Sequence, residues 1–84
     1  MTASPILLRR RPTTVEAMQV TRDTLFDVAE WCNGVATLTG GIWVQTDTGD
    51  HAHAGYGDWV VKGPFGDFYP AADKVMFANY EAVL

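Results

Sequence analysis

Cysteine is almost absent from this sequence. Cys32 is the only one in 84 residues, so no disulfide can close within the chain, and nothing calls for an oxidising compartment. Long apolar runs are missing as well: none approaches the roughly 20 residues needed to span a bilayer. Ile6-Leu7-Leu8 is too short for a signal-peptide core, and the arginines follow it, whereas a signal peptide carries its basic residues first. The chain is therefore expected to stay in the cytoplasm where it is made and to avoid membranes. Internal repeats, low-complexity tracts and linkers are absent. So are the usual marks of catalysis. Gly63-Pro64-Phe65-Gly66 joins two strands and opens no helix, so it is no phosphate-binding loop. No Ser-His-Asp set stands in a recognisable context.

The residues that are present favour a packed domain. A chain of this length is one domain by default and buries only about two-thirds of its unfolded surface, enough for one modest core with no room for a second. With 48% hydrophobic and 12% aromatic residues, it is rich enough to pack. The net charge of −4 is unevenly placed. Residues 1–22 hold Arg9, Arg10, Arg11 and Arg22 against Glu16, and residues 23–84 hold Lys62 and Lys74 against nine acids. The pattern is a basic arm on an acidic body, and the body alone would repel nucleic acid.

Residues 1–12 have no apolar period and contain two prolines, which predicts a mobile arm. Residues 13–84 are read as a single α+β domain. Thr13 to Thr21 is rich in β-branched residues and reads as a strand, with Val15 and Ala17 on one face and Glu16, Met18 and Val20 on the other. Leu25, Val28, Ala29 and Cys32 then recur at helical spacing, so a helix is expected over about 23–32, capped by Thr21 or Asp23. Asn33-Gly34 should stop it, with Gly supplying the left-handed conformation. Strands are expected at 35–39, 42–46, 51–54, 59–62 and 67–69, with turns at 47–50, 55–58 and 63–66. Pro70 should end the last of these strands and open a short helical turn through Met76, followed by a closing strand over 77–83. Local hairpins imply a mostly antiparallel, twisted sheet with one amphipathic helix on a face. Leu25, Val28, Ala29, Trp59, Val61 and Phe68 are the expected buried residues.

Each candidate site has a competing conformational explanation. Asp47, Asp50, His51 and His53 are the one plausible metal cluster, because His51 and His53 at i, i+2 share a strand face and two imidazoles with a carboxylate can hold zinc. The same residues are what a solvated hairpin turn needs, so no metal and no other cofactor is assigned. Cys32 on the apolar stripe reads as a core residue and not as a nucleophile. Asp58 and Asp67, each beside a glycine at a strand end, read as turn caps before they read as an acid–base pair. An enzyme is therefore not expected. Arg9, Arg10 and Arg11 could grip phosphates, although three contacts give only weak, salt-sensitive binding. Trp43, Tyr56, Trp59, Phe65, Phe68, Tyr69, Phe77 and Tyr80 are a large aromatic set for one small core, so some must reach the surface, where aromatics are typical interface anchors. Phe65 at a turn tip is the foremost of these, and Asp67, Tyr69, Tyr56 and Trp43 complete the candidate protein-binding set.

The C-terminal half carries a resemblance. Gly57-Asp58-Trp59-Val60-Val61-Lys62-Gly63, then Gly66-Asp67-Phe68-Tyr69-Pro70, Asp73 to Phe77 and Tyr80-Glu81 are similar to a pattern in short phage and prophage accessory proteins of no assigned chemistry. The basic triplet, Pro12 and Val15-Glu16-Ala17-Met18-Gln19 resemble the start of the same family. Ala71 stands where the family often has Cys, and Ala72-Asp73 where it often has Lys-Pro, so any chemistry of that Cys is absent here. The resemblance implies a phage origin, an accessory role in the host bacterial cytoplasm, and no catalytic residues. Together with the aromatic surplus, it gives the expectation of a small protein that binds a host protein, in host takeover or counter-defence. A nucleic-acid-associated role through the arginines is the alternative. A minor structural or self-assembling role, including a homodimer, is the second alternative.

Overall fold

The computed structural model describes residues 3–10, 13–46, 49–79 and 81–82. It is α+β, with two antiparallel sheets, one main helix and a short C-terminal helix. Strands β1 (Ile6–Arg10), β2 (Thr13–Gln19), β6 (Trp59–Lys62), β7 (Phe68–Ala71) and β8 (Glu81–Ala82) form a five-stranded sheet in the order β7-β6-β2-β1-β8. Strands β3 (Val35–Ala36), β4 (Ile42–Gln45) and β5 (His51–Ala54) form a second sheet in that order. Helices α1 (Leu25–Cys32) and α2 (Asp73–Asn79) complete the fold.

Strands β2 and β6 are the axis of the molecule, paired from Glu16↔Lys62 to Gln19↔Trp59. Side chains alternate across a strand, and here both faces are buried. On one face Met18, Val20 and Val60 join Leu25, Val28, Ala29 and Cys32 of α1 with Ile42, Val44 and Ala54 of the small sheet. On the other, Val15, Ala17, Trp59 and Val61 enclose Met76 of α2. The expectation of one core is thus corrected: two clusters share a sheet, because the C-terminal helix covers the face that α1 leaves open. Its first residue is tied down from that face. The Trp59 indole Nε1–H donates to Asp73 Oδ1 at 2.8 Å, and Gln19 Nε2 reaches the same oxygen at 3.4 Å and Gly57 O at 3.0 Å.

Other sequence expectations are corrected in detail. Residues 6–10, expected within a mobile arm, form β1, paired with β2 from Ile6↔Ala17 to Arg10↔Thr13 and with β8 at Leu8↔Ala82 and Arg9↔Glu81. The apolar run Ile6-Leu7-Leu8 is part of that strand. Ahead of it, the Ala3 N–H donates to Asp27 Oδ2 on α1 at 2.9 Å. Pro70 does not end β7. It pairs opposite Val60 on an edge strand, where a missing N–H is tolerated. The expected strand over 77–83 shortens to Glu81–Ala82, because α2 continues through Asn79.

The ends of α1 show why local chemistry can mislead. Thr24, not Thr21 or Asp23, is the N-cap residue. Its Oγ1 donates to Gln19 O at 2.7 Å and accepts the Thr21 N–H at 2.8 Å, while Thr21 Oγ1 accepts the Thr24 N–H at 3.2 Å. This exchange fixes the turn between β2 and α1. At the other end Asn33, not Gly34, is left-handed, with φ 56°. The Gly34 N–H bonds Ala29 O and the Asn33 N–H bonds Glu30 O, the double closure of a Schellman motif. Gly34 is needed for a different reason: a Cβ there would stand 2.7 Å from Trp43 O and from Ile42 Cγ2.

Gly40 meets both constraints at once. Its φ is +93°, and a Cβ would lie 2.3 Å from Cε2 of Tyr56. Gly40→Ala is expected to cost about 1–2 kcal/mol for the backbone alone, with displacement of the Tyr56 ring added. A thermal melt should show a fall of at least about 4 °C.

Candidate functional site

The three-stranded sheet has one buried and one outward face. Along β4, Ile42 and Val44 point inward, while Trp43 and Gln45 are exposed. Register carries this pattern across the sheet. Ala36, Ile42 and Ala54 lie in one inward row, and Val35, Trp43 and His53 lie in the outward row beside it. Gln45 and His51 pair in the next outward row. Val35 is 65% exposed, Trp43 45% and Tyr56 50%. The centroids of Trp43 and His53 are 5.1 Å apart at an interplanar angle of 61°. His53 lies over Gly41 and Tyr56 over the adjacent Gly40, each so close that a side chain on the glycine would collide with the ring. The bare Gly41 thus seats the His53 ring next to the indole. Leu38, fully exposed in the turn between β3 and β4, stands at the rim.

The five candidate protein-binding residues come from different parts of the fold. Trp43 belongs to this outward face, and Tyr56 is exposed in the turn after β5, with its ring over Gly40. Phe65, Asp67 and Tyr69 belong to the β6–β7 hairpin, where Phe65 is 95% exposed in the turn and Asp67 and Tyr69 are half-buried. Phe68, expected in the core, is also half-buried. It packs edge-on to Trp31 at 5.1 Å on one side, and the Lys62 ammonium lies 6.0 Å from its ring centre. That seat between the helix and a snorkelling lysine keeps it at the margin. Leu25, Val28, Ala29, Trp59 and Val61 are buried as expected.

His53, Asp58 and Asp67 are engaged in local structure. His51 and His53 do share the outward face, but His53 packs edge-on against Trp43. Among the described residues no group of three His, Cys, Asp or Glu side chains could hold a metal ion, and Asp47 lies outside those residues. Asp58 Oδ2 accepts the Gly55 N–H at 3.0 Å and closes that turn. The Asp67 carboxylate lies over Gly63, where a Cβ would stand 2.6 Å from Oδ1. Asp58 and Asp67 therefore serve turns at opposite ends of β6 and do not form an acid–base pair. Arg9 and Arg10 place their backbone in β1, and Arg11 lies outside the described residues.

Cys32 is buried beside an open hollow of about 280 Å³ lined by Asn33, Gln45, Thr46, Asp67 and Phe68. Burial pushes its thiol pKa above the ordinary value of 9.0, against smaller lowering contributions from backbone hydrogen bonds. A thiol so held is a poor nucleophile at neutral pH. The sign of its pH effect follows. Below 9.0 both folded and unfolded states keep the proton and stability is unaffected. Above it the unfolded state ionises first, so stability falls as pH rises through the folded value. Chemical denaturation of Cys32→Ser beside the native protein should show that alkaline loss only in the native protein.

Val35 and Leu38 were not legible as surface residues in the sequence. The signal available was the alternation Ile42-Trp43-Val44-Gln45, which places Trp43 outward; β3 is too short to show an alternation of its own. Among the described residues, no helix is long and apolar enough to cross a membrane. No family model, curated protein or solved structure matches this chain.

Proposed function

We propose that this protein acts by binding another protein through the outward face of the three-stranded sheet, as an accessory factor of phage origin directed at a host protein and without catalytic activity of its own. The observation that carries the binding reading is the contact of half-exposed Trp43 with His53 on the outward face, flanked by exposed Val35. Trp and Tyr placed half in solvent supply large contact area at low entropic cost, and exposed apolar side chains that cluster mark interaction sites more often than scattered ones do. Phe65 on the β6–β7 turn is a second contact within the same reading. The phage origin and the host target rest on the resemblance over roughly residues 9–83.

The test is capture from a bacterial host lysate with tagged protein, after nuclease treatment and washing at moderate salt. A single protein retained in near-equal amount by the native chain, and lost with Trp43→Gln, supports the reading. Retention of nucleic acid alone, lost in the nuclease step, would move the function to the arginines at 9–11.

A further inference from the structure

Four strands form the edges of the two sheets, and three of them are guarded against further pairing. An edge strand presents unpaired backbone groups, which proteins blunt with proline, charge or brevity. β7 carries Pro70, β8 is two residues long and includes Glu81, and β3 is two residues long. β5 is His51-Ala52-His53-Ala54, four residues with no Pro, Lys, Arg, Asp or Glu. Two hydrogen bonds show which of its backbone groups face the open side. The Thr46 N–H donates to Asp50 O at 2.8 Å, which makes Thr46 and Asp50 a hydrogen-bonded pair. Antiparallel pairs alternate between bonded and non-bonded. Val44↔Ala52 and Ile42↔Ala54 are therefore bonded pairs, and Gln45↔His51 and Trp43↔His53 are not. On the far side of β4 the Thr37 N–H donates to Gly41 O at 2.9 Å, which by the same alternation turns the backbone of Trp43 toward β3. The N–H and C=O groups of His51 and His53 thus point away from β4, and among the described residues they find no other partner. Both residues are exposed.

We infer that β5 pairs with β5 of a second copy of this chain, antiparallel about a two-fold axis through Ala52. In that register His51 lies opposite His53 of the second copy, and His53 opposite its His51. Each of these pairs exchanges two N–H···O=C bonds, so four bonds satisfy every open backbone group of both strands. Ala52 meets its own counterpart across the axis, where only methyl groups have to be accommodated. Asp50 lies opposite Ala54 of the second copy, so the two Asp50 carboxylates stand at opposite ends of the pairing and do not oppose each other. The two small sheets become one of six strands, in the order β3-β4-β5-β5-β4-β3. Four bonds on so short a strand bury little area, so the pair exchanges with the monomer. The inference stands on the sheet edge and does not depend on the protein-binding reading above.

Two measurements on the native full-length protein test it. Amide hydrogen exchange is followed across a dilution series, and an isotope-filtered NOE spectrum is recorded on a mixture of ¹³C-labelled and unlabelled protein. The expected result is protection of the His51 and His53 amides that rises with concentration, and an Ala52 Hα–Hα contact between copies, the close approach of a non-bonded pair. Sedimentation should show a reversible dimer. His51→Pro removes one edge donor from each copy and no bond to β4, a placement an edge strand tolerates. It should melt like the native protein and dimerise at least about tenfold more weakly, as the loss of two backbone bonds requires. His51→Thr should dimerise like the native protein. A monomer at every concentration, with both amides unprotected, would overturn the inference. So would a dimer whose contacts lie elsewhere, or one that His51→Pro does not weaken. If His51→Pro misfolds, the exchange and NOE data on the native protein decide. A monomer throughout, together with lysate capture that His51→Pro loses, would also overturn it and make an extended segment of another protein the occupant of the edge.

Discussion

Trp59→Ala should remove about 3–5 kcal/mol of folding free energy, the range for emptying a large buried aromatic site. Small domains have only about 5–15 kcal/mol in total, so the variant should melt far below the native protein. Two losses combine at this position. The ring is nearly fully buried against Val61 and Met76 in the second cluster. Its Nε1–H also holds Asp73 at the start of α2, so the covering helix loses its tie as well as its packing. Trp59→Phe separates these effects, because it keeps most of the buried surface and removes the hydrogen bond. It should cost about 1 kcal/mol, the net value of one such bond, plus the smaller packing change. A urea titration of both variants checks the order. Equal costs would mean that the bond to Asp73, and not the packing, holds α2 in place.

Trp43→Ala should behave in the opposite way. Its ring lies on the outward face, and truncation gives up a cross-strand contact with His53 worth about 0.2–1 kcal/mol. The melting temperature should therefore move little. Binding should fall by about 30-fold or more, the loss of about 2 kcal/mol that defines an interface anchor. A large fall in stability with binding intact would make Trp43 a packing residue and remove the basis for the proposed surface.

The sequence and the structure agree where the pattern was long and periodic. The stripe Leu25, Val28, Ala29 and Cys32 is buried on α1, and the two faces read for Val15 to Val20 lead into the two clusters. The hairpins at 42–54 and 59–71 follow from their turn residues and their alternation. Disagreement arose where pairing partners far along the chain decide the outcome. Residues 6–10 show no period of their own and become a strand because β2 and β8 offer edges on either side. Pro70 is a stop signal only if its N–H is needed, and at a sheet edge it is not. Phe77 reads as strand by local propensity, yet the fold needs a helix there to cover Val15, Ala17, Trp59 and Val61. The candidate surface was legible in part. Trp43 and Tyr56 could be named from the aromatic surplus, but the contact of Trp43 with His53 depends on the Trp43↔His53 register and on the His53 ring seated over Gly41. Neither is visible in composition.

The most direct test of the binding face is a side-by-side capture from host lysate by the native chain, Trp43→Ala and Phe65→Ala, each first shown to melt like the native protein. Trp43→Ala is expected to lose the partner almost completely and Phe65→Ala to keep more of it. Full retention by Trp43→Ala would leave the outward face of the small sheet without the role proposed for it.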